Sequence, residues 1–199
     1  DINLCSKSAK LIAVDWGTSN RRAFLLDGSG SIIDTHYDTL GLSNNSKKNF
    51  HKAYSNLIIK WEEVAGDLPT LMSGMVGAST GWIEAPYCEL PAGIDSLATN
   101  LKEVPTEKNV WIIPGIKTYD NNKTPDVIRG EEIQAISASE KFNDTLIIAP
   151  GTHSKWIKIK DGKIIWFSTF MTGDLHKAIL NHTVISALNE PIEGIQYRA

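Results

Sequence analysis

The chain has 199 residues, of which 42% are hydrophobic and 22% are charged, and its formal net charge is −3 at pH 7. This composition is ordinary for a globular protein that buries a core in one or two domains. It argues against nucleic acid as a partner, because Lys and Arg are scattered along the chain and slightly outnumbered by Asp and Glu.

The cysteines and the apolar runs limit the cellular setting. Cys5 and Cys88 are far apart and lack Cys-x-x-Cys spacing, so neither a disulfide framework nor a zinc site is indicated. No apolar run reaches the ~20 residues that span a bilayer, and the N-terminus lacks a signal-peptide pattern. We therefore expect a cytoplasmic protein without a membrane partner. Since the sequence starts without Met and ends at Ala199 without a recognisable closing element, we also expect a fragment of a longer polypeptide.

The first predicted elements are two apolar strands, residues 11–14 and 23–26, on either side of a polar loop at 15–21. A third strand over 31–37 completes a predicted β-meander. The loop sets the carboxylate of Asp15 at a strand end, beside a turn of Gly, Thr, Ser and Asn. Amides and hydroxyls of such a turn can hold phosphate oxygens next to a divalent cation. We interpret the loop as part of a phosphoryl-transfer site.

Strands and helices alternate through the middle of the chain. Apolar residues recur at helical spacing over 49–64, and Gly66 stands where that helix would end. Residues 68–77 read as a buried strand that runs into a Gly-rich loop, and 109–115 as another apolar strand. A second helix is predicted from Asp126 to Ala138. This alternation is typical of an α/β fold.

The last third of the chain repeats the opening pattern. A strand over 145–149, a Gly-Thr loop over 150–154, a strand over 155–159 and an Asp-Gly turn into 163–167 follow the order of residues 11–33. A duplicated phosphate-binding hairpin implies two related domains with a cleft between them.

Several motifs together carry a resemblance to a known family. The Gly-Thr hairpins at 15–18 and 150–153 resemble the two phosphate loops of the actin, sugar kinase and heat-shock ATPase superfamily. In order and spacing, five motifs are similar to those of the 2-dehydro-3-deoxygalactonokinase family: LMSGMVG at 71–77, EAPY at 84–87, DVIRGEEIQ at 126–134, PGTHSKW at 150–156 and FMTGDL at 170–175.

The resemblance implies an actin-like, ribonuclease H-like α/β fold of two lobes with a cleft between them. We expect the N-terminal lobe over 1–142 and the start of an incomplete C-terminal lobe over 143–199. The implied activity is ATP- and magnesium-dependent phosphorylation of the 6-hydroxyl of 2-dehydro-3-deoxy-D-galactonate in galactonate catabolism. The residues that bind adenine are expected outside this sequence.

The resemblance also assigns roles to three carboxylates. Asp15 would be a catalytic residue that holds Mg²⁺, through water because that ion keeps much of its hydration shell. Glu131 stands where related sugar kinases carry their catalytic aspartate and would accept the proton of the 6-hydroxyl, with Glu132 as the alternative base. Apart from the resemblance, acidic residues near a helix N-terminus simply complement the helix dipole.

Two further groups of residues are expected at the site. The predicted nucleotide-binding residues are Gly17, Thr18, Ser19, Asn20, Gly151, Thr152, His153, Ser154 and Lys155. The predicted substrate-binding residues are Arg21, Ser73, Gly74, Met75, Trp82, Tyr87 and Arg129. Arginine suits a sugar-acid carboxylate, and Arg21 is preferred to Arg22 because it directly follows the loop. Trp82 fits a core position equally well, and residues 172–174 either contact the nucleotide or support the second loop.

Other functions remain open at this stage. A non-catalytic sugar or nucleotide sensor, or an ATPase machine, could use the same fold. The carboxylates of Asp15, Glu131 and Glu132 favour a kinase, because a sensor would be expected to lose them. A kinase for a related 2-keto-3-deoxy sugar acid is the nearer alternative, since residue chemistry does not separate the galacto and gluco epimers. The oligomeric state is open, a homo-oligomer included.

Overall fold

The computed structural model describes residues 8–44 and 49–184. In chain order its elements are β1 (Ala9–Trp16), β2 (Arg21–Asp27), β3 (Ile32–Asp38), α1 (Phe50–Ala65), β4 (Thr70–Ser73), β5 (Tyr87–Glu89), α2 (Ile94–Thr99), β6 (Lys102–Glu103), β7 (Val110–Ile112), β8 (Gly115–Tyr119), β9 (Pro125–Ile128), α3 (Glu131–Ser139), β10 (Asp144–Ala149), β11 (Ser154–Lys160), β12 (Lys163–Phe170) and α4 (Thr172–His182). Within these ranges no helix combines the length and the hydropathy that a membrane crossing would require.

The first sheet contains the predicted meander. Its strand order is β3-β2-β1-β4-β7-β6, with β1, β2 and β3 antiparallel and β4 parallel to both β1 and β7. Along β1, Ile12, Val14 and Trp16 are buried on one face. Because successive side chains of a strand point to opposite faces, Asp15 lies on the other face. The alternation of the strand therefore keeps this carboxylate out of the core.

Helix α1 covers the buried face of that sheet, as its apolar spacing predicts. It buries Phe50, Tyr54, Leu57, Ile58 and Trp61. The Phe50 ring lies 5.5 Å from the ring of Trp16. The helix ends before Gly66, whose backbone N–H donates to the carbonyl of Glu62.

A second core lies under two three-stranded sheets, β5-β8-β9 and β10-β11-β12. Its buried residues come from both sheets and from α3, and they include Ile116, Ile128, Ala135, Ile157 and Phe167. The meander β10-β11-β12 is antiparallel throughout, like β1-β2-β3. The predicted division at residue 142 stays a prediction, and this core joins residues on both sides of it.

The structure corrects the prediction of a helix from Asp126 to Ala138. Residues Pro125–Ile128 form β9, which pairs antiparallel with β8, and the helix begins only at Glu131. Gly130 separates the two elements with a φ of 111°, which no helix interior allows. The predicted strand over 109–115 is likewise divided into the whole of β7 and the first residue of β8, on either side of Pro114.

Candidate active site

A cavity of about 610 Å³ lies between the two Gly-Thr loops and is lined by residues from the first sheet and from the two smaller sheets. The predicted site residues that line it are Asp15, Gly17, Thr18, Ser19, Gly74, Met75, Tyr87, Arg129, Glu131, Gly151, Thr152, His153 and Lys155. Residues that the sequence did not single out complete the wall: Ala78, Val127, Gly130, Gln134, Ala149 and Pro150.

Backbone hydrogen bonds hold the first Gly-Thr loop in place. The N–H of Gly17 donates to the carbonyl of Asn20 over 2.9 Å, which closes the turn. The carbonyls of residues 17–19 accept from the amides of residues 41–43 at 2.9–3.1 Å. The segment after β3 therefore anchors the carbonyl groups of this loop.

Asp15 pairs with Arg22 at the start of the meander. The two residues face each other in the β1–β2 register, and Arg22 Nη2 donates to Asp15 Oδ2 over 2.6 Å. The two side chains are 31% and 52% exposed, for Asp15 and Arg22 respectively. An exposed ion pair of this kind contributes about 0–1 kcal/mol, so a divalent cation can replace the arginine at this carboxylate.

The N-terminus of α4 supports the second Gly-Thr loop. The backbone N–H of Asp174 donates to the carbonyl of Thr152 over 3.0 Å. The carboxylate Oδ2 of Asp174 lies 2.9 Å from His153 Nε2. The hydroxyl of Ser154 bonds to that of Thr172, and Ser154 does not line the cavity. Of the two roles expected for residues 172–174, the contacts show loop support.

Lys155 lies at the cavity wall but already has two acceptors. Its Nζ donates to the carbonyl of Val127 and to Thr169 Oγ1, each over 2.8 Å. Thr169 in turn donates to Asp126 Oδ1 over 2.6 Å. Since the side chain is only 9% exposed, Lys155 ties β11 and β12 to β9 as well as placing a positive charge near the cavity.

Glu131 reaches the cavity from the first turn of α3. Its Oε2 accepts from the backbone N–H of Arg129 over 3.0 Å. The turn before the helix is close-packed: a Cβ built on Gly130 would lie 3.3 Å from the Cα of Gly74, and one on Gly74 would lie 2.9 Å from the carbonyl oxygen of Trp16. Backbone contacts thus connect the start of α3 to the end of β1.

Glu132, the alternative base, points elsewhere and does not line the cavity. It is completely buried, and its Oε2 accepts from the N–H of Gly130 over 2.6 Å. Burial raises the pKa of this carboxyl to about 7. Consecutive helix residues lie on different faces, so Glu132 joins Ala135 on the core face while Glu131 faces the cavity. The structure therefore does not support Glu132 as a catalytic base.

Arg129 and Tyr87 form one unit at the wall. The Arg129 guanidinium carbon lies 4.3 Å from the centre of the Tyr87 ring, and Arg129 Nη2 donates to the carbonyl of Ala85 over 2.9 Å. Arg129 is 8% exposed. Within the described part of the chain, its Nη1 has no hydrogen-bond partner. Because Nη1 is buried, this donor does not face the cavity. The fixed guanidinium places a positive charge at the wall, which suits an anionic ligand.

Like Arg22, Arg21 does not line the cavity, which corrects the prediction that Arg21 binds the substrate. Its guanidinium donates to both carboxylate oxygens of Asp38, over 2.9 and 2.6 Å, and to the carbonyl of Ala53. Arg21 is 2% exposed. It shares the core face of β2 with Ala23 and Leu25, whereas Arg22 shares the face of Asp15. The role of Arg21 is structural.

Three further residues predicted for the site, all in the described part of the chain, do not line the cavity. Trp82 packs in the first core, with its ring stacked 6.1 Å from that of Phe50, so the core alternative is correct. Ser73 and Asn20 lie beside the site without lining it. Asn20 contributes its backbone carbonyl to the turn described above.

Gln134 is a wall residue that the sequence reasoning missed. It lies three residues after Glu131 in α3, and residues three apart share one face of a helix. With Glu131 assigned to the site, this spacing predicts that Gln134 lies there too. Val127 and Ala149 were not readable in this way, because their place at the wall depends on how the two sheets pack.

The strand order, the duplicated hairpin and the cavity between its two loops define an α/β protein of the actin-like fold, as predicted. A crystal structure from Sinorhizobium meliloti, of a protein provisionally named 2-dehydro-3-deoxygalactonokinase, has a TM-score of 0.82 and 35% identity, over 89% of this chain and 59% of that one. The family model described as 2-keto-3-deoxy-galactonokinase matches residues 15–194. The chain belongs to this family, which confirms the resemblance.

Two curated relatives agree. The 2-dehydro-3-deoxygalactonokinase of Escherichia coli (strain K12) is 37% identical over 188 residues, which are 94% of this chain and 62% of that protein. The probable 2-dehydro-3-deoxygalactonokinase DgoK1 of Rhizobium meliloti (strain 1021) is 36% identical over 177 residues, which are 87% of this chain and 57% of that protein. The chain thus spans about three-fifths of the length of these relatives.

Proposed function

We propose that the protein is an ATP-dependent kinase that phosphorylates the 6-hydroxyl of 2-dehydro-3-deoxy-D-galactonate. The observation that carries the proposal is the single cavity that brings Asp15, Glu131 and both Gly-Thr loops together. Phosphoryl transfer depends mainly on positioning and on neutralising phosphate charge. The names of the relatives supply the substrate.

On the nucleotide side, the loops at 17–19 and 151–153 would bind phosphate oxygens from opposite walls of the cavity. Asp15 would hold Mg²⁺, and its half-exposed carboxylate fits this ion, which uses one or two carboxylates together with water and substrate phosphates. Among the described residues there is no cluster of three acidic, His or Cys side chains, so a fully protein-ligated metal is not part of the proposal. When bound, Mg²⁺ would neutralise charge on the phosphates.

On the acceptor side, Glu131 would orient the 6-hydroxyl and accept its proton. Its carboxylate is at the cavity wall and is held by a single backbone donor, which leaves acceptor capacity for a hydroxyl. Removing a general base of this kind typically lowers turnover ~10²- to 10⁴-fold. Glu132 has no part in proton transfer in this proposal.

Arg129, supported by Tyr87, would bind the carboxylate of the sugar acid. The guanidinium is pre-oriented by the Tyr87 ring and by the Ala85 carbonyl, so little side-chain entropy is lost when a carboxylate binds. Met75 and Gln134 line the same cavity and are candidates to contact the carbon chain and its hydroxyls.

The decisive experiment is a coupled assay of ADP release by the full-length gene product. It compares 2-dehydro-3-deoxygalactonate, its gluco epimer 2-dehydro-3-deoxygluconate, and no sugar acid. Release that depends on the galacto acid supports the proposal. Preference for the gluco epimer would reassign the substrate within the sugar-acid class. Release that is independent of any sugar acid, or absent, would contradict the kinase function.

A further inference from the structure

Glu132 is a buried carboxylate that the proposed chemistry does not use. It is completely buried, on the core face of α3. Its Oε2 accepts from the Gly130 N–H, and its Oε1 has no hydrogen-bond partner among the described residues. An apolar side chain of similar size would avoid the cost of burying a carboxylate. The contact that such a side chain could not make is the bond to Gly130.

Gly130 is the point at which α3 meets the first sheet. Its φ is 111° and that of Gly74 is 91°, so both backbones are in conformations that favour glycine. A Cβ on Gly74 would lie 2.9 Å from the Trp16 carbonyl oxygen and 3.4 Å from Asp15 Oδ1. Gly74 therefore lies close to the Trp16 backbone and the Asp15 side chain on one side and to Gly130, which precedes Glu131, on the other.

The carboxylates of two successive residues stabilise this turn, and each accepts from a different backbone amide. Glu131 accepts from the N–H of Arg129 and Glu132 accepts from the N–H of Gly130. Each bond spans two residues, and together they leave both amides satisfied. Because Glu132 is inside the core, its bond is shielded from water and holds its geometry better than an exposed one.

We propose that Glu132 is a positioning residue: its bond to the Gly130 amide keeps Gly130 against Gly74 and so sets the place of the Glu131 carboxylate relative to Asp15. The catalytic part of this inference rests on the proposed function. The structural part, that Glu132 orders the Gly130 turn, stands on the contacts alone.

Three variants of the full-length gene product test the inference. Glu132→Gln keeps a carbonyl oxygen that can accept from Gly130, and Glu132→Met keeps the size but removes the acceptor. Glu140→Gln, at the exposed C-terminal end of α3, is the matched control. The measurements are kcat and KM for ATP and sugar acid, and the hydrogen-exchange rate of the Gly130 amide.

We expect Glu132→Met to lower kcat about tenfold or more with both KM values within about threefold, since positioning of the base matters in the transition state. Its Gly130 amide should exchange at least about tenfold faster, because an open amide loses its protection. Glu132→Gln should keep kcat and exchange within about threefold of the wild type, and Glu140→Gln should match the wild type.

A folded Glu132→Met protein with wild-type kcat would overturn the proposal. If that variant does not fold, Glu132→Asp replaces it: the carboxylate is withdrawn by one methylene, and wild-type kcat in Glu132→Asp would overturn the proposal equally. If the wild type itself shows no ADP release that depends on a sugar acid, the proposed function fails. In that case the hydrogen-exchange rate of the Gly130 amide is the only test. An unchanged rate in Glu132→Met would contradict the positioning role of Glu132.

Discussion

Gly74 and Gly130 pack backbone against backbone at the cavity wall, with only 3.3 Å between the Cα of Gly74 and the place a Cβ of Gly130 would occupy. Gly74 follows β4, which pairs with β1 near Asp15, and Gly130 precedes the helix that begins with Glu131. The separation of Asp15 and Glu131, the two carboxylates proposed for catalysis, therefore depends on a close contact between two residues whose backbone conformations favour glycine.

Gly130→Ala should impair turnover more than its effect on stability explains. The φ of 111° is strained for alanine by about 1–3 kcal/mol, and the new methyl group would press on Gly74. The control is Gly162→Ala, with a φ of 72° and nothing within 4 Å of its Cβ. Thermal unfolding and kcat are measured for both. Equal loss of kcat in the two variants would contradict the role given to this contact.

Asp15→Asn should lower kcat by about 10² or more and raise the Mg²⁺ concentration needed for half-maximal rate, because the amide is a poorer ligand for this ion. Loss of the exposed pair with Arg22 should change stability by less than about 1 kcal/mol. A magnesium titration of ADP release measures the effect, with Asp95→Asn at the exposed start of α2 as control. An unchanged magnesium requirement would remove Asp15 as the ligand.

Glu131→Gln should lower kcat ~10²-fold or more with KM for the sugar acid largely kept, as expected when a general base is lost and binding is not. Steady-state kinetics with the galacto acid provide the measurement. Glu132→Gln makes the same change one position further along the helix. Comparing the two variants distinguishes the loss of a general base from the effect of changing a neighbouring carboxylate. Near-normal turnover in Glu131→Gln would exclude it from proton transfer.

Arg129→Lys and Arg21→Met should fail in different ways. Lysine keeps the charge at 129 but cannot bind a carboxylate in bidentate fashion, so KM for the sugar acid should rise about tenfold or more while KM for ATP stays within about threefold. Arg21→Met leaves Asp38 without its main partner and should cost about 3 kcal/mol of stability. Kinetics and urea unfolding of both variants measure this. If KM for the sugar acid rises in Arg21→Met and not in Arg129→Lys, Arg21 rather than Arg129 binds the sugar-acid carboxylate.

The stability of the protein should depend on pH through Glu132. Burial raises the pKa of this carboxyl from 4.5 to about 7, so the folded state binds its proton more tightly than the unfolded state. The resulting stability is present in full below about pH 4.5 and is lost as the pH rises through about 7. Between pH 5 and pH 8 the free energy of unfolding should fall by about 2–3 kcal/mol from this group.

The measurement is urea unfolding of the wild type and of Glu132→Gln at several pH values. Only the difference between the two proteins is interpreted, because histidines titrate in the same range. The difference should shift in favour of Glu132→Gln as the pH rises. Parallel pH profiles would show that Glu132 does not carry this dependence.

Elements whose pattern is local could be predicted from the amino-acid sequence. The helix of residues 50–65 follows from apolar spacing, and the two meanders follow from short apolar runs joined by Gly-containing turns. The repeated Gly-Thr loops indicate a shared cleft from their pattern alone. The burial of Arg21 could also be predicted, because alternate residues of a strand share a face and Arg21 shares its face with Ala23 and Leu25.

Which of two neighbouring side chains enters the cavity depends on the packing of the folded chain. Glu131 and Glu132 are chemically equivalent in the sequence, and they are separated by how α3 packs on the second core. Residues 125–128 form a strand because their backbone pairs with β8, the preceding strand, a pairing that the apolar spacing of these residues does not indicate. Local periodicity is written into consecutive residues, whereas the orientation of a site side chain depends on which distant segments pair and pack around it.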